Sequence, residues 1–127
     1  MGYFIEKERT GSAPYVLINE DKNYMKIEGE SFHENVIVFF HDVNDWLNKY
    51  LESDFENFTF DCEMKYFNSS TAKLLFNMLL SMDDCATING KSITVNWIVS
   101  EDNDIIIECG EDFKEEMPNL NFNLVIK

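Results

Sequence analysis

Five short stretches of the chain are apolar or alternate between apolar and polar residues, a pattern typical of strands with a buried face. The stretches lie at residues 13–18, 24–28, 58–66, 92–99 and 122–126. The first two flank the turn-prone segment 19–23, so the sequence predicts that they form a β-hairpin.

Three other segments have the composition or the period of helices. Residues 36–51 are the clearest case, and Ser31 followed by Glu34 forms a capping-box pattern ahead of them. A strongly apolar helix is predicted over 72–82, and an acidic helix over 102–117 with an interruption or bend near Gly110. The apolar face predicted for the first helix comprises Val36, Phe39, Phe40, Val43, Trp46, Leu47, Tyr50 and Leu51.

The elements follow the order ββαβαβαβ, which predicts an α/β fold with packed helices. Strands separated by helices join one sheet as parallel neighbours through right-handed crossovers, whereas the leading hairpin is antiparallel. The sheet is therefore expected to be mixed. An apolar fraction of 45% over 127 residues suits one core, so we expect a single domain over 1–127. Residues 1–13 are expected to be a loosely ordered lead-in.

The charge balance disfavours two classes of partner. Asp and Glu number 24 against 10 for Lys and Arg, which gives a net charge of -14 that repels nucleic acid and anionic membranes. No signal-peptide core or membrane-spanning stretch is predicted. Cys62, Cys85 and Cys109 are odd in number and far apart, which is typical of buried, reduced thiols and favours a cytoplasmic location.

The patterns that mark catalytic or metal sites are missing from the sequence. No glycine-rich phosphate loop or paired-cysteine spacing is present, and His33 and His41 lie eight residues apart on a predicted helix and its entry. We therefore expect no catalytic residue, no metal and no cofactor.

The segment from Tyr66 to Thr71 joins a predicted buried strand directly to an apolar helix. Free backbone N–H groups and the helix dipole favour an anion at such a helix start, so the fold would tolerate a phosphoryl group on Ser69. Phosphorylation would add about -1.5 to -2 charges there. Judged on these residues alone, simple helix capping by residues 68–71 is the favoured interpretation.

A resemblance to a known family favours phosphorylation at the helix start over simple capping. Four blocks, in order from about Thr10 to the C-terminus, resemble the SiaC family of regulatory phosphoproteins. The blocks are Gly29-Glu30-Ser31 with Glu34-Asn35-Val36, Trp46-Leu47 with Tyr50-Leu51, Tyr66-Phe67-Asn68-Ser69-Ser70, and Gly110-Glu111-Asp112-Phe113. His33 departs from the pattern, because a proline is expected ahead of Glu34.

The resemblance implies a STAS-like domain, related to anti-sigma factor antagonists, in which a serine or threonine at a helix start is phosphorylated. That position is Ser69 here, with Ser70 and Thr71 as alternative acceptors. The resemblance further implies an anti-sigma-type Ser/Thr kinase, a PP2C-like phosphatase, and a diguanylate cyclase that the unphosphorylated protein binds and activates, in control of cyclic di-GMP and biofilm formation. The expected contact surface comprises Tyr66, Phe67, Asn68, Ser70, Thr71 and Lys73.

Some choices stay open at the level of sequence. Lys73 could pair with a phosphate on Ser69 or remain solvated, and the sequence favours solvation. The output could instead be that of an anti-sigma factor antagonist in a transcription pathway. A small-molecule binding domain or minor hydrolase that uses its carboxylates is a third alternative, which requires a deep polar pocket.

Overall fold

The computed structural model describes residues 2–127, which form one six-stranded sheet with helices packed on it. The strands are β1 (Phe4–Lys7), β2 (Tyr15–Asn19), β3 (Tyr24–Ser31), β4 (Asn57–Phe67), β5 (Ser92–Val99) and β6 (Asn121–Ile126). The helices are α1 (Val36–Phe39), α2 (His41–Leu51), α3 (Ser69–Asn89) and α4 (Asp104–Glu116). The predicted mixed α/β fold is confirmed. No helix within 2–127 is long and apolar enough to cross a membrane.

The strands lie side by side in chain order, from β1 to β6. The β1–β2 and β2–β3 pairs are antiparallel, and the three pairs from β3 to β6 are parallel. Right-handed crossovers between parallel strands in this order carry every helix to the same face of the sheet. The core fills that face, and the carboxyl ends of the parallel strands meet the helix starts at one edge.

The opposite face of the sheet is polar and stabilised by side-chain hydrogen bonds. Asp61, in β4, accepts hydrogen bonds from the Tyr24 hydroxyl at 2.7 Å and from Asn96 Nδ2 at 2.8 Å. Asn123 Nδ2 continues the row by donating to Asn96 Oδ1 at 3.1 Å. These bonds satisfy the polar groups of neighbouring strands without a covering layer.

Residues 4–7 of the predicted loosely ordered lead-in instead form the strand β1, while residue 1 lies outside the described part of the chain. Phe4–Lys7 pair with β2, and Ile5 packs against the core. Lys7 Nζ donates to Asp42 Oδ1 at 2.9 Å and to the Phe39 carbonyl at 3.0 Å, which ties the strand to the helical layer. Four residues that include two charges are too short a pattern for the sequence alone to indicate a strand.

The predicted capping box at Ser31 and Glu34 is wrong. Ser31 is the last residue of β3 and is fully buried, while the residue that precedes α1 is Asn35, whose side chain makes no capping bond. The helix predicted over 36–51 is also divided, because Phe40 leaves helical geometry with φ −93° and ψ 4°. The predicted apolar face nevertheless packs on the core across both parts.

α3 is longer than predicted, since it begins at Ser69 and ends at Asn89. Gly90 terminates it in the left-handed region with φ 65°, a conformation that glycine adopts at little cost.

α4 is continuous through Gly110, so the predicted interruption there is wrong. Glycine lies at this position because α4 packs closely on β5 and β6. A Cβ atom at Gly110 would lie 2.6 Å from Trp97 Nε1 and 2.7 Å from Leu124 Cδ1. Trp97 Nε1 also donates to the Ile106 carbonyl at 2.9 Å, which holds the helix at this short distance from the sheet.

Replacing Gly110 with alanine tests this packing. Alanine favours a helix by about 1 kcal/mol relative to glycine, but overpacking of a well-filled core costs about 1–3 kcal/mol. We therefore expect Gly110→Ala to lower the free energy of unfolding, measured by denaturant titration with tryptophan fluorescence. Gly11→Ala is the matched control, since no atom lies within 4 Å of its added Cβ. Equal or greater stability of Gly110→Ala would contradict the packing argument.

Candidate functional site

The segment predicted to carry function lies where β4 passes into α3, at the edge formed by the carboxyl ends of the strands. A single residue makes this connection: Asn68 is extended, with φ −82° and ψ 175°, and it is the N-cap of α3. Its side-chain oxygen accepts from the Thr71 backbone N–H at 2.9 Å, and its own N–H donates to the Ser31 carbonyl at 3.0 Å. The helix start is thus held against the end of β3.

Thr71 is fully buried and forms a second link to β3. Its Oγ1 lies 2.8 Å from Ser31 Oγ, and Ser31 is also fully buried. A hydroxyl in this position is not accessible at the surface, and a phosphoryl group would have to displace the bond. Of the three candidate acceptors, only Ser69 and Ser70 have exposed side chains.

The electrostatics of this helix start differ from those of the chain as a whole. The first turn of α3 holds no acidic residue, although the chain carries a net charge of -14. A helix of 21 residues directs the positive end of its dipole to this turn, where the first N–H groups lack intrahelical acceptors. Lys73, one turn further on, is exposed. A phosphate monoester on Ser69 or Ser70 would therefore lie in a favourable local field.

Two of the predicted contact residues lie at the end of β4 and have different environments. Tyr66 is 52% exposed, and its ring lies 6.1 Å from that of Phe32, which is also exposed. Phe67 is half-buried and makes an edge contact with Trp97 at 6.2 Å between ring centroids. Tyr66 is thus available for contact with a partner, whereas Phe67 mainly packs against the core.

The structure adds apolar residues that the sequence interpretation missed. Ile37 and Val38 on α1 are 73% and 68% exposed, and Ile105 at the start of α4 is 79% exposed. Ile37 and Val38 could have been noticed, because they place two β-branched apolar residues on the polar side of the predicted helix. Ile105 gave no such signal.

One surface depression reaches the first turns of α3, and a second lies at the end of β4. One is a groove of about 250 Å³ between the α1–α2 region and α3, lined by Ile37, Asn44, Ser70, Lys73, Leu74 and Asn77. The other is a cleft of about 160 Å³ between the end of β4 and the start of α4. Tyr66, Ile105 and Cys109 line this cleft. Each depression is thus lined by both apolar and polar side chains.

The thiols lie in environments that do not suit a nucleophile. Burial, with a smaller contribution from Asp112, raises the pKa of Cys109 to about 11. Burial also raises the pKa of Cys62 well above its usual range. Both side chains are thus protonated at neutral pH, and the thiolate is the reactive form. Cys85 is buried, and its Sγ lies 3.3 Å from the Leu51 carbonyl oxygen.

The predicted contact surface therefore divides into supporting and accessible residues. Asn68 and Thr71 build the helix start, and Phe67 anchors the end of β4. Tyr66, Ser69, Ser70 and Lys73 are exposed, and we refer to these four residues together as the rim of the site.

Comparison with known proteins supports the resemblance noted from the sequence blocks. The chain is 24% identical over 107 residues to an uncharacterized protein of Pseudomonas aeruginosa strain UCBPP-PA14, a match that covers 84% of each chain. Its fold is similar to that of SiaC of Pseudomonas aeruginosa, with a TM-score of 0.90 and 20% identity over 99% of this chain and 100% of that one.

A further solved structure is the crystal structure of diguanylate cyclase SiaD in complex with its activator SiaC from Pseudomonas aeruginosa. The match has a TM-score of 0.90 and 21% identity, and it covers 97% of this chain and 99% of the matched chain. The family model described as SiaC family regulatory phosphoprotein matches residues 6–127. The chain therefore belongs to the SiaC family of regulatory phosphoproteins.

Proposed function

We propose that this protein is a non-catalytic switch that binds and activates a diguanylate cyclase when unphosphorylated and releases it when Ser69 is phosphorylated. The observation that carries the proposal is the exposed Ser69 at a helix start without acidic residues, bordered by exposed apolar side chains. The solved complex of a SiaC with the cyclase SiaD supports the choice of partner.

The geometry of the helix start suits a modification that changes the surface and leaves the fold intact. Within residues 2–127 the Ser69 hydroxyl makes no hydrogen bond, so its modification breaks none. The bonds that hold the helix start come from Asn68, Ser31 and Thr71 instead. The positive end of the α3 dipole favours the added anion.

The phosphoryl group would act on the partner through charge and hydration. It adds about -1.5 to -2 charges and three strong acceptor oxygens. Ile37, Val38 and Tyr66 are the exposed side chains that would be buried against a partner, and a strongly hydrated dianion at this rim must be desolvated on docking. Release of the partner therefore needs no rearrangement of the domain.

Operation of this switch in both directions requires two further enzymes, one that adds the phosphate and one that removes it. We infer an anti-sigma-type Ser/Thr kinase and a PP2C-like phosphatase, because the family to which the chain belongs consists of regulatory phosphoproteins. The setting is then the bacterial cytoplasm, and the output is cyclic di-GMP level and biofilm formation. The protein acts in this scheme as the substrate of both enzymes.

Phosphosite mapping tests the acceptor. The protein, purified from its native host or incubated with its kinase and ATP, should carry one phosphate on Ser69 by intact-mass and peptide mass spectrometry. Ser69→Ala should abolish the modification, and Ser70→Ala is the adjacent control that should retain it. Phosphate on the buried Thr71, or none within residues 69–71, would contradict the proposal.

A second prediction concerns the partner. Ser69→Asp should weaken binding of the cyclase from the same organism by roughly tenfold or more, which corresponds to about 1.4 kcal/mol, and should reduce its activation. Ser69→Ala should bind and activate like the unmodified protein. The measurements are calorimetry and the rate of cyclic di-GMP synthesis.

Ser92→Asp provides the matched control for added charge. Ser92 is exposed at the start of β5, at the end of the sheet opposite to Ser69, so its replacement should leave cyclase binding unchanged. Equal affinities of Ser69→Asp and Ser69→Ala would rule out the charge mechanism. If a pull-down recovers an anti-sigma kinase and its sigma factor instead of a cyclase, the switch controls transcription.

A further inference from the structure

Lys73 lies one turn beyond the proposed phosphorylation site on α3. Within residues 2–127, six of the ten basic side chains form ion pairs with carboxylates, and the strongly acidic composition offers many such partners. Lys73 forms none with any group in residues 2–127, although its side chain is exposed. Its charge is therefore available to a group from outside the chain.

The surroundings of Lys73 set the kind of group it can meet. It lines the groove between the α1–α2 region and α3, together with the apolar side chains Ile37 and Leu74 and the neutral polar residues Asn44, Ser70 and Asn77. Among the residues that the structure describes, this lining contains no carboxylate. A protein segment that covers the groove would desolvate the ammonium group, and that is unfavourable unless the segment supplies a compensating charge.

Lys73 is also a neighbour of both accessible serines. Ser69 precedes it by four residues and Ser70 by three on the same helix, and such pairs have Cβ atoms about 5–6 Å apart. Side chains of helices lean toward the N-terminus, so the Lys73 stem is inclined toward the first turn of α3. A phosphate on either serine is thus within reach of the ammonium group.

We propose that Lys73 pairs with either of two anions, a carboxylate of the partner or the phosphate on Ser69. Phosphorylation weakens partner binding because the phosphate replaces the partner carboxylate as the counter-ion of Lys73. In the unmodified protein the ammonium group binds a carboxylate of the cyclase, and apolar side chains that flank this carboxylate fill the groove beside Ile37 and Leu74. After phosphorylation the phosphate on Ser69 pairs with Lys73. The partner carboxylate then faces an additional negative charge and has lost its counter-ion. This inference rests on the proposed function.

Sharing of Lys73 differs from simple repulsion in one measurable respect. If the phosphate acts only through its own charge and hydration, the factor by which it weakens binding does not depend on Lys73. If the two anions compete for Lys73, that factor shrinks when the ammonium group is removed. The coupling between the two positions therefore separates the two mechanisms.

The first test needs neither kinase nor cyclase. Phosphoserine is placed at position 69 during translation, and the phosphate is titrated by ³¹P NMR in the wild-type and Lys73→Met proteins. Pairing with the ammonium group should lower the second phosphate pKa of the wild type by about 0.3 pH unit relative to Lys73→Met. Lys73→Arg should keep the lower value. Lys114→Met, on α4, is the matched control, and its phosphate should titrate like that of the wild type. Identical titrations of the wild type and Lys73→Met would overturn the pairing.

The second test uses the purified cyclase of the same organism. Lys73→Met, checked for native folding by circular dichroism, should bind the cyclase roughly 3- to 10-fold more weakly than the unphosphorylated wild type. Phosphorylation should then weaken binding by a smaller factor in Lys73→Met than in the wild type. Unchanged affinity of the unphosphorylated variant, or an equal phosphorylation factor, overturns the sharing of Lys73. If no variant binds the cyclase, the proposed function is overturned, and with it the contact between Lys73 and a partner carboxylate. The phosphate titration still decides whether Lys73 pairs with a phosphate on Ser69.

Discussion

The order of the strands is the constraint on which the site depends. Parallel strands that lie side by side in chain order, joined by right-handed crossovers, leave all helices on one face and bring all helix starts to one edge. β3 and β4 therefore end beside each other, and the chain can leave β4 and enter α3 through the single residue Asn68. Ser31, at the end of β3, lies close enough to bond with Thr71 across 40 positions of sequence.

This arrangement holds the start of α3 firmly against the end of β3. Asn68 and Thr71 direct their polar groups inward to the cap and to Ser31, while Ser69 and Ser70 between them direct theirs outward. Four consecutive residues with similar side chains thus divide into two that hold the helix and two that are open to modification. A phosphoryl group on Ser69 or Ser70 would therefore break none of the hydrogen bonds that hold the helix start.

The distribution of charge at the start of α3 differs from that of the chain as a whole. Acidic side chains dominate the composition, yet the first turn of α3 and the groove beside it contain none among the residues that the structure describes. The cation Lys73 and the exposed apolar side chains near it would suit the acidic partner surface that we propose, whereas a predominantly acidic surface would repel it. Membership in a family of regulatory phosphoproteins is consistent with the proposal that a phosphate is added at this helix start.

The sequence by itself determined the features that depend on short-range chemistry. The alternation in β4 and β5, the apolar face over 36–51, the cap at Asn68 and the blocks shared with the SiaC family are each contained within a few neighbouring residues. Tertiary structure decided whatever depends on distant partners. β1 exists because β2 and Asp42 hold four residues that carry little pattern of their own. Ser31, which resembles a helix cap in sequence, is instead buried against Thr71.

Gly110, Thr71 and Lys73 show the same division most clearly. Gly110 resembles a helix breaker but provides space for Trp97, and Thr71 resembles a third acceptor but is buried. Lys73 looks like an ordinary solvated side chain in sequence but lines a groove that Ile37 and Asn44 complete from another part of the chain. Local propensity selects most of the helices and strands, whereas contacts between residues far apart in sequence decide whether β1 forms and which side chains remain at the surface.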